Sequence, residues 1–156
     1  MRALEVIEIT GRPFSASLPR YEDIAPTVHI ALRCERRLLD LRINERARAM
    51  FDGGLVEEVE ALIDQGIREG ETAPRAIGYA QALAVIDGTM SVPEAVDSTA
   101  LATRQLASRQ IKWFRRDPRL HWIDVALTEA GQCTDSERSR LTRQAWELVC
   151  ARRGVA

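Results

Sequence analysis

Two arginines, Arg42 and Arg46, stand four residues apart in the segment LRINERARAM. In a helix this spacing puts both guanidinium groups on the same face. Each guanidinium presents several N–H donors in a fixed fork, so two of them together can bind the oxygens of a diphosphate. Alternatively, the two arginines lie on a solvated helix face and pair with Glu35 or Glu45. The spacing alone leaves both interpretations open.

A second candidate is the segment Arg75-Ala76-Ile77-Gly78-Tyr79, which lies where a loop is expected to become a helix. A glycine at such a junction lets a partner's backbone approach closely, and a helix N-terminus can bind phosphate. Tyr79 has a ring that could stack on a nucleic-acid base. The alternative is an ordinary helix start whose tyrosine packs inward.

A third candidate is the basic segment between residues 104 and 119, which holds six Lys and Arg residues against a single acid, Asp117. Four of its hydrogen-bonding side chains fall on one helix face: Arg104, Ser108, Lys112 and Arg115. Such side chains on a rigid helix suit a nucleic-acid backbone. An ordinary exposed face is the other interpretation.

Hydrophobic periodicity predicts the helices that position these residues. The predicted helices span residues 2–10, 34–51, 55–63, 77–86 and 91–116, with a last one from a cap at Thr134 or Ser136 to Leu148. Ser91, with Pro93 in the first turn and Glu94 at the capping-box position, predicts the start of the longest helix. The first helix lacks a capping residue, so we interpret it as a helix cut in the middle.

Two short segments predict strands, residues 27–32 (TVHIAL) and 120–125 (LHWIDV). Three prolines within residues 12–26 predict a loop there. Two strands are too few for a complete α/β domain. We therefore expect the first strand to pair with strands supplied from outside this sequence.

The composition, 46% hydrophobic and 29% charged with a net charge of −1, is that of an ordinary globular protein. The three cysteines, Cys34, Cys133 and Cys150, lack the spacing of a zinc site or a disulfide framework. They indicate reduced thiols in a cytosolic protein. His29 and His121 have no partner at metal-ligand spacing, and no apolar run approaches the roughly 18 residues of a membrane span.

Four stretches of the sequence together resemble the motifs of one enzyme family. The first is RALEVIEITGRPFS at residues 2–15, and the second is Arg42-Ile43-x-x-Arg46 together with Met50, Gly54 and Glu57-Glu58-Val59. The third is Ala76-Ile77-Gly78-Tyr79, and the fourth is ATRQLASRQIKWFR at residues 102–115. Their order and spacing resemble the bacterial tRNA dimethylallyltransferases, or isopentenyltransferases, over about residues 2–124. The sequence departs from the family pattern at Ser108, where Lys or Arg is common, and at Ala80, where a basic residue is common.

The resemblance implies an α/β fold. This mostly helical chain would be the C-terminal part of a P-loop NTPase-like fold built on a parallel sheet. We expect one or two strands and five to six helices. Residues 1–26 would end a helical insertion domain and its linker. Residues 27–156 would form the C-terminal part of the catalytic core, with the tRNA-contacting helices.

The resemblance also implies transfer of a dimethylallyl group from dimethylallyl diphosphate to N6 of the adenosine 3′ of the anticodon. The implied partners are the tRNA anticodon stem-loop, dimethylallyl diphosphate and the missing N-terminal half of the same protein. That half would hold the phosphate-binding loop, the acidic general base and most of the ligands to Mg²⁺, the implied cofactor. We therefore expect a cytoplasmic protein without a membrane segment, inactive as this fragment alone.

Carried onto this sequence, the family's site residues fall into two groups. Arg46 would be catalytic, stabilising the leaving diphosphate together with Arg42. The tRNA-binding group would comprise Arg75, Ala76, Ile77, Gly78, Tyr79, Arg104, Gln105, Ser108, Arg109, Lys112, Trp113 and Arg115. No metal ligand is expected among these residues.

Two other hypotheses remain. The chain could be a stand-alone, non-catalytic RNA-binding helical module that uses its basic helix. It could also be a truncated product that folds poorly because its sheet lacks partners.

Overall fold

The computed structural model describes residues 2–12 and 21–153. Of the loop predicted over residues 12–26, residues 13–20 lie outside the described ranges, and residues 21–28 form no helix or strand. Two single 3₁₀ turns, Ile67–Glu69 and Ala73–Arg75, connect the third helix to the fourth. The regular elements are α1 (Arg2–Thr10), β1 (His29–Arg33), α2 (Arg36–Asp52), α3 (Leu55–Ile63), α4 (Tyr79–Ile86), α5 (Val92–Phe114), β2 (Leu120–Asp124) and α6 (Asp135–Arg153).

The six predicted helices and both predicted strands are confirmed, and their bounds differ for local reasons. The helix α4 begins at Tyr79 rather than at residue 77, because Gly78 has a φ of 99°, outside the helical region. The helix α6 continues past Leu148 to Arg153, since no glycine or proline interrupts the sequence before Gly154. Thr134 caps it, because its hydroxyl accepts from the Glu137 N–H at 3.2 Å.

The predicted capping box at the start of α5 is formed as expected. The Ser91 hydroxyl accepts from the Glu94 N–H at 3.4 Å, and the Glu94 carboxylate accepts from the Ser91 N–H at 2.8 Å. Both bonds satisfy backbone donors that have no partner within the helix. This local start fixes the position of the 23-residue helix α5, which carries the basic segment.

The two strands pair with each other in parallel, from His29 opposite Leu120 to Arg33 opposite Asp124. The expectation that β1 finds its partners outside this sequence was therefore wrong in one respect, because β2 is a partner. Parallel strands need a long crossover between them, and helices α2 to α5 form it. Parallel sheets normally have both faces covered, yet Leu32 on β1 is 60% exposed.

The core is divided between two places. The larger cluster joins the end of α2 to α3, α4 and the start of α5, and comprises Phe51, Leu55, Val59, Ile67, Ala82, Leu83 and Ala95. The smaller cluster, Ile43, Ala47 and Ala100, lies where α2 crosses α5. Two alanines at that crossing let the helices approach closely, which fixes how α2 presents Arg42 and Arg46 to α5.

Candidate functional site

A cavity of about 360 Å³ lies between α2 and α5, and both Arg42 and Arg46 line it. The buried residues Ile43 and Ala47, each next in sequence to one of these arginines, anchor this face of α2 against α5. The apolar part of the lining is formed by Leu39, Ile43, Ala47, Met50, Ile77 and Leu106. The structure thus brings together the two arginines that the sequence predicted and a mainly apolar wall.

The two arginines have different surroundings. The Arg42 Nη1 donates to the carbonyl oxygen of Gly131 at 2.9 Å. A Cβ at Gly131 would lie 3.0 Å from the Arg42 Cγ, so a glycine at this position leaves room for the arginine. Arg46 is exposed, and within residues 2–12 and 21–153 its guanidinium has neither an acceptor nor a carboxylate partner. The N–H donors of Arg46 are therefore not engaged by the described residues.

The helix α5 contributes two threonines to the same cavity, Thr99 and Thr103. The Thr103 hydroxyl donates to the Thr99 carbonyl oxygen at 2.8 Å. Thr99 is only 2% exposed, and its own hydroxyl has no hydrogen-bond partner among the described residues. Buried hydroxyls are usually satisfied, so Thr99 adds an unsatisfied polar group to a mainly apolar lining.

The segment 75–79 reaches the cavity through Ile77, while Arg75 and Ala76 are exposed beside it. Gly78 is required by its backbone, whose φ is 99°, and by its surroundings. A Cβ there would lie 3.1 Å from the Met50 Cε. Its N–H donates to the Gln81 side chain at 2.8 Å, which starts α4 in place of a hydroxyl cap.

Tyr79 is half-buried and packs against the cluster formed by α3 and α4. Its hydroxyl donates to the Glu58 carboxylate, and this hydrogen bond raises the pKa of Tyr79. The structure therefore shows the inward-packed position that the sequence left open as an alternative. Contact between Tyr79 and RNA stays a prediction.

The predicted basic face of α5 is divided in the structure. Arg104 is half-buried and its Nη1 donates to the Asn44 Oδ1 at 2.5 Å, so it fastens α5 to α2. The exposed hydrogen-bonding side chains lie further along the helix: Gln105, Ser108, Arg109, Lys112 and Arg115. Trp113 is 65% exposed and packs edge-to-face on Phe114, with their ring centres 5.0 Å apart.

Sequence reasoning missed three residues at these surfaces, Arg36, Asn44 and Thr99. Arg36 donates to the Ser108 hydroxyl at 2.8 Å across the gap between α2 and α5. A partial signal existed for Asn44, which lies next to Ile43 on the face of α2 that packs on α5. For Thr99 the signal was its place among the small residues of the segment STALAT.

Among the described residues no three His, Cys, Asp or Glu side chains converge in a way that could hold a metal ion. The His29 Nε2 donates to the Asp23 carboxylate at 2.8 Å, and His121 is exposed. The described part of the chain therefore offers no such cluster for a metal ion. No helix within it is long and apolar enough to cross a membrane.

The fold and the cavity define a mostly helical α/β domain in which Arg46, unpaired among the described residues, lies beside an apolar wall. The sequence profile of the IPP transferase family matches residues 1–117. That match covers three quarters of the sequence, so this chain belongs to the IPP transferase family.

Individual relatives agree with this membership. The tRNA dimethylallyltransferase of Pseudarthrobacter chlorophenolicus is 52% identical over 139 residues, covering 86% of this chain and 46% of that protein. The tRNA dimethylallyltransferase of Streptomyces coelicolor is 47% identical over 149 residues, covering 96% of this chain and 45% of that protein. The chain thus spans about half the length of these relatives.

Two solved structures resemble the whole chain. The tRNA isopentenylpyrophosphate transferase of Bacillus halodurans superposes with a TM-score of 0.71 at 29% identity, over 99% of this chain and 46% of that one. The tRNA delta(2)-isopentenylpyrophosphate transferase of Staphylococcus epidermidis gives a TM-score of 0.66 at 30% identity, over 94% and 47%. The expected α/β class, with one or two strands and five to six helices, is confirmed.

Proposed function

We propose that this chain is the C-terminal part of a tRNA dimethylallyltransferase. The whole enzyme would transfer a dimethylallyl group from dimethylallyl diphosphate to N6 of the adenosine 3′ of the anticodon. The observation that carries the proposal is the Arg46 guanidinium, which is unpaired among the described residues and lies on a cavity with a mainly apolar lining. A prenyl diphosphate is an apolar chain joined to an anion, and this cavity offers a surface for each part.

In the reaction N6 of the adenosine attacks C1 of the dimethylallyl group. The C1–O bond breaks, and its electron pair leaves with the diphosphate, whose oxygens gain negative charge. Arg46 would stabilise that charge, because its N–H donors are not engaged by other described residues. Arg42 would assist through the donors that remain after its bond to Gly131.

The N6 nitrogen must also lose a proton to a base. The residues that line this cavity include no carboxylate and no histidine. The base, and the Mg²⁺ that the family implies, would therefore come from the N-terminal half of the enzyme. In this assignment residues 1–26 end the insertion domain and its linker, and residues 27–156 belong to the catalytic core.

The tRNA would lie along the exposed surface of α5. Five side chains reach solvent there, as phosphate and base contacts require: Gln105, Arg109, Lys112, Trp113 and Arg115. Arg75 and Ala76 are exposed beside Ile77, which reaches the Arg46 cavity. A target base would have to leave its stack to reach that cavity. Such a role places the protein with tRNA in the cytoplasm.

The test compares this chain alone with this chain joined to the N-terminal half of the Streptomyces coelicolor relative. Each is incubated with dimethylallyl diphosphate, Mg²⁺ and an anticodon stem-loop RNA, and the prenylated adenosine is measured by mass spectrometry. We expect transfer by the joined protein and none by the chain alone. Transfer by the chain alone would contradict the division of the active site between this chain and the N-terminal half. No transfer by either protein would contradict the enzymatic role.

The exposed cations of α5 favour one alternative, a non-catalytic RNA-binding module. That hypothesis predicts salt-sensitive binding of the stem-loop by the chain alone. It also predicts that the joined protein binds RNA without transferring a prenyl group. The same two proteins therefore separate the two candidates.

A further inference from the structure

A second groove, of about 710 Å³, lies between the start of α2 and the C-terminal half of α5. It shares only Leu39 with the lining of the Arg46 cavity. Four cationic side chains line it: Arg33, Arg36, Lys112 and Arg115. No Asp or Glu is among the lining residues, so the groove is electropositive.

The four cations are neutralised to different degrees. Arg33 forms a two-point ion pair with Asp124 at the ends of β1 and β2, with an Nη2–Oδ2 distance of 3.0 Å. The Arg36 Nε lies 2.9 Å from the Asp40 Oδ1. Lys112 and Arg115 have no acceptor or carboxylate partner within residues 2–12 and 21–153. Their positive charges lie at the C-terminal end of α5, where the helix dipole stabilises cations.

Arg36 joins the two walls of this groove. Its Nη1 donates to the Ser108 hydroxyl at 2.8 Å, and its Nη2 donates to the Arg104 carbonyl oxygen at 3.4 Å. The Nε contact with Asp40 is an ion pair without a hydrogen bond, so two of the five guanidinium N–H groups are engaged and three remain. The side chain is 46% exposed, so those donors can reach a ligand in the groove.

We propose that Arg36 contacts a phosphate group of the RNA backbone in this groove, beside Lys112 and Arg115, which the proposed function already assigns to the tRNA surface of α5. The proposal rests on the RNA substrate proposed above, and extends the RNA surface from α5 onto the first turn of α2. Arg36 is held in place by Ser108 and Arg104 before RNA arrives, which lowers the entropy that binding must overcome. Phosphates carry no sequence information, so this contact would set affinity and orientation rather than choice of base.

The test measures the affinity of a fluorescent anticodon stem-loop at several salt concentrations, for the chain alone and for the joined protein. The variant Arg36→Gln removes one phosphate contact. It should therefore lower the slope of log affinity against log salt by about 0.7 to 0.9 and weaken binding severalfold at low salt. Lys112→Gln should act in the same way. Arg36→Lys keeps the charge and should restore most of the slope.

The matched control is Arg37→Gln. Arg37 is the next residue of α2, pairs with Glu129 at 2.9 Å and does not line the groove. Its removal should leave the slope unchanged. Circular dichroism and unfolding midpoints of all variants reveal any structural change caused by loss of the link between α2 and α5. Such a change alone would not alter the salt slope.

An unchanged slope for Arg36→Gln, with prenyl transfer intact, would overturn this proposal and leave the proposed function standing. A variant that loses affinity for inorganic diphosphate while keeping its RNA slope would assign the groove to diphosphate, and would also overturn it. No RNA binding by either wild-type protein would overturn both.

Discussion

The surroundings of Thr99 predict an effect of substitution on stability that can be measured separately from function. Its hydroxyl is buried without a partner, an arrangement that costs about 1–3 kcal/mol. Valine has nearly the same shape and a similar helix propensity. We expect Thr99→Val to raise the free energy of unfolding by about 1 kcal/mol in urea denaturation, because the unsatisfied group disappears.

Thr103→Val is the control for that prediction. The Thr103 hydroxyl donates to the Thr99 carbonyl oxygen, so its loss should lower the free energy of unfolding. Destabilisation by Thr99→Val as large as that by Thr103→Val would show that the Thr99 hydroxyl has a hydrogen-bond partner. It would contradict the description of Thr99 as an unsatisfied group in the cavity lining.

At the level of single residues, the positions of side chains on the face of one helix could be predicted from the sequence. Contacts between side chains of two different helices could not. The spacing of Arg42 and Arg46 was enough to predict that both lie on one face of α2, and in the structure both line one cavity. The bond from Arg104 to Asn44 joins residues 60 positions apart, and no periodicity within either helix indicates it. The part that Arg104 plays in joining α5 to α2 was therefore not predicted, and its contact with RNA stays a prediction.

Among the elements, α6 is held by a small ionic network at its first turn. Glu137 is buried, accepts from the Ala126 N–H at 2.7 Å and pairs with Arg140, whose Nη2 also donates to the Asp124 carbonyl oxygen at 2.6 Å. Hydrogen bonds from Arg140 first, and from Ala126 second, lower the pKa of Glu137 to about 2 from an ordinary 4.5. The network ties α6 to the end of β2.

A carboxylate whose pKa is lowered by folding stabilises the protein above its unfolded pKa and loses that contribution as pH falls towards the folded value. Glu137→Gln should therefore lower the thermal unfolding midpoint at neutral pH. The difference from wild type should shrink between pH 4.5 and about 2, the range set by the two pKa values. Differential scanning calorimetry across that range would measure it.

Glu147→Gln is the control on the same helix, since Glu147 is exposed and unpaired within the described ranges. It should change the midpoint little at any pH. A difference between wild type and Glu137→Gln that stayed constant with pH would show that the charge of Glu137 does not hold α6.

The elements themselves were predictable because their signals are local. Ser91 with Glu94 predicted the start of α5, whereas the start of α4 was predicted two residues early, at residue 77, because the φ of Gly78 was not foreseen. The pairing of β1 with β2 joins residues about 90 positions apart, and its partner choice depends on how four helices pack between them. No pattern within either strand could predict that.

Considered as a whole, the molecule has apolar surface that an isolated domain would cover. Leu32 of the two-stranded parallel sheet is exposed, as are Leu4 and Ile9 of α1 and Trp146 of α6. Parallel sheets occur almost only with both faces covered. This agrees with a chain that spans about half the length of its relatives, and with a cavity whose lining, among the described residues, holds two arginines but no carboxylate or histidine.

The central claim is that Arg46 stabilises the diphosphate as it leaves. The most direct test is the single-turnover rate of dimethylallyl transfer by the joined protein, for Arg46→Ala against Arg48→Ala, an exposed arginine of α2 that does not line the cavity. We predict that Arg46→Ala slows transfer by about 10²–10³-fold, the usual effect of removing one such donor, and that Arg48→Ala leaves the rate unchanged. Equal rates for the two variants would contradict the claim.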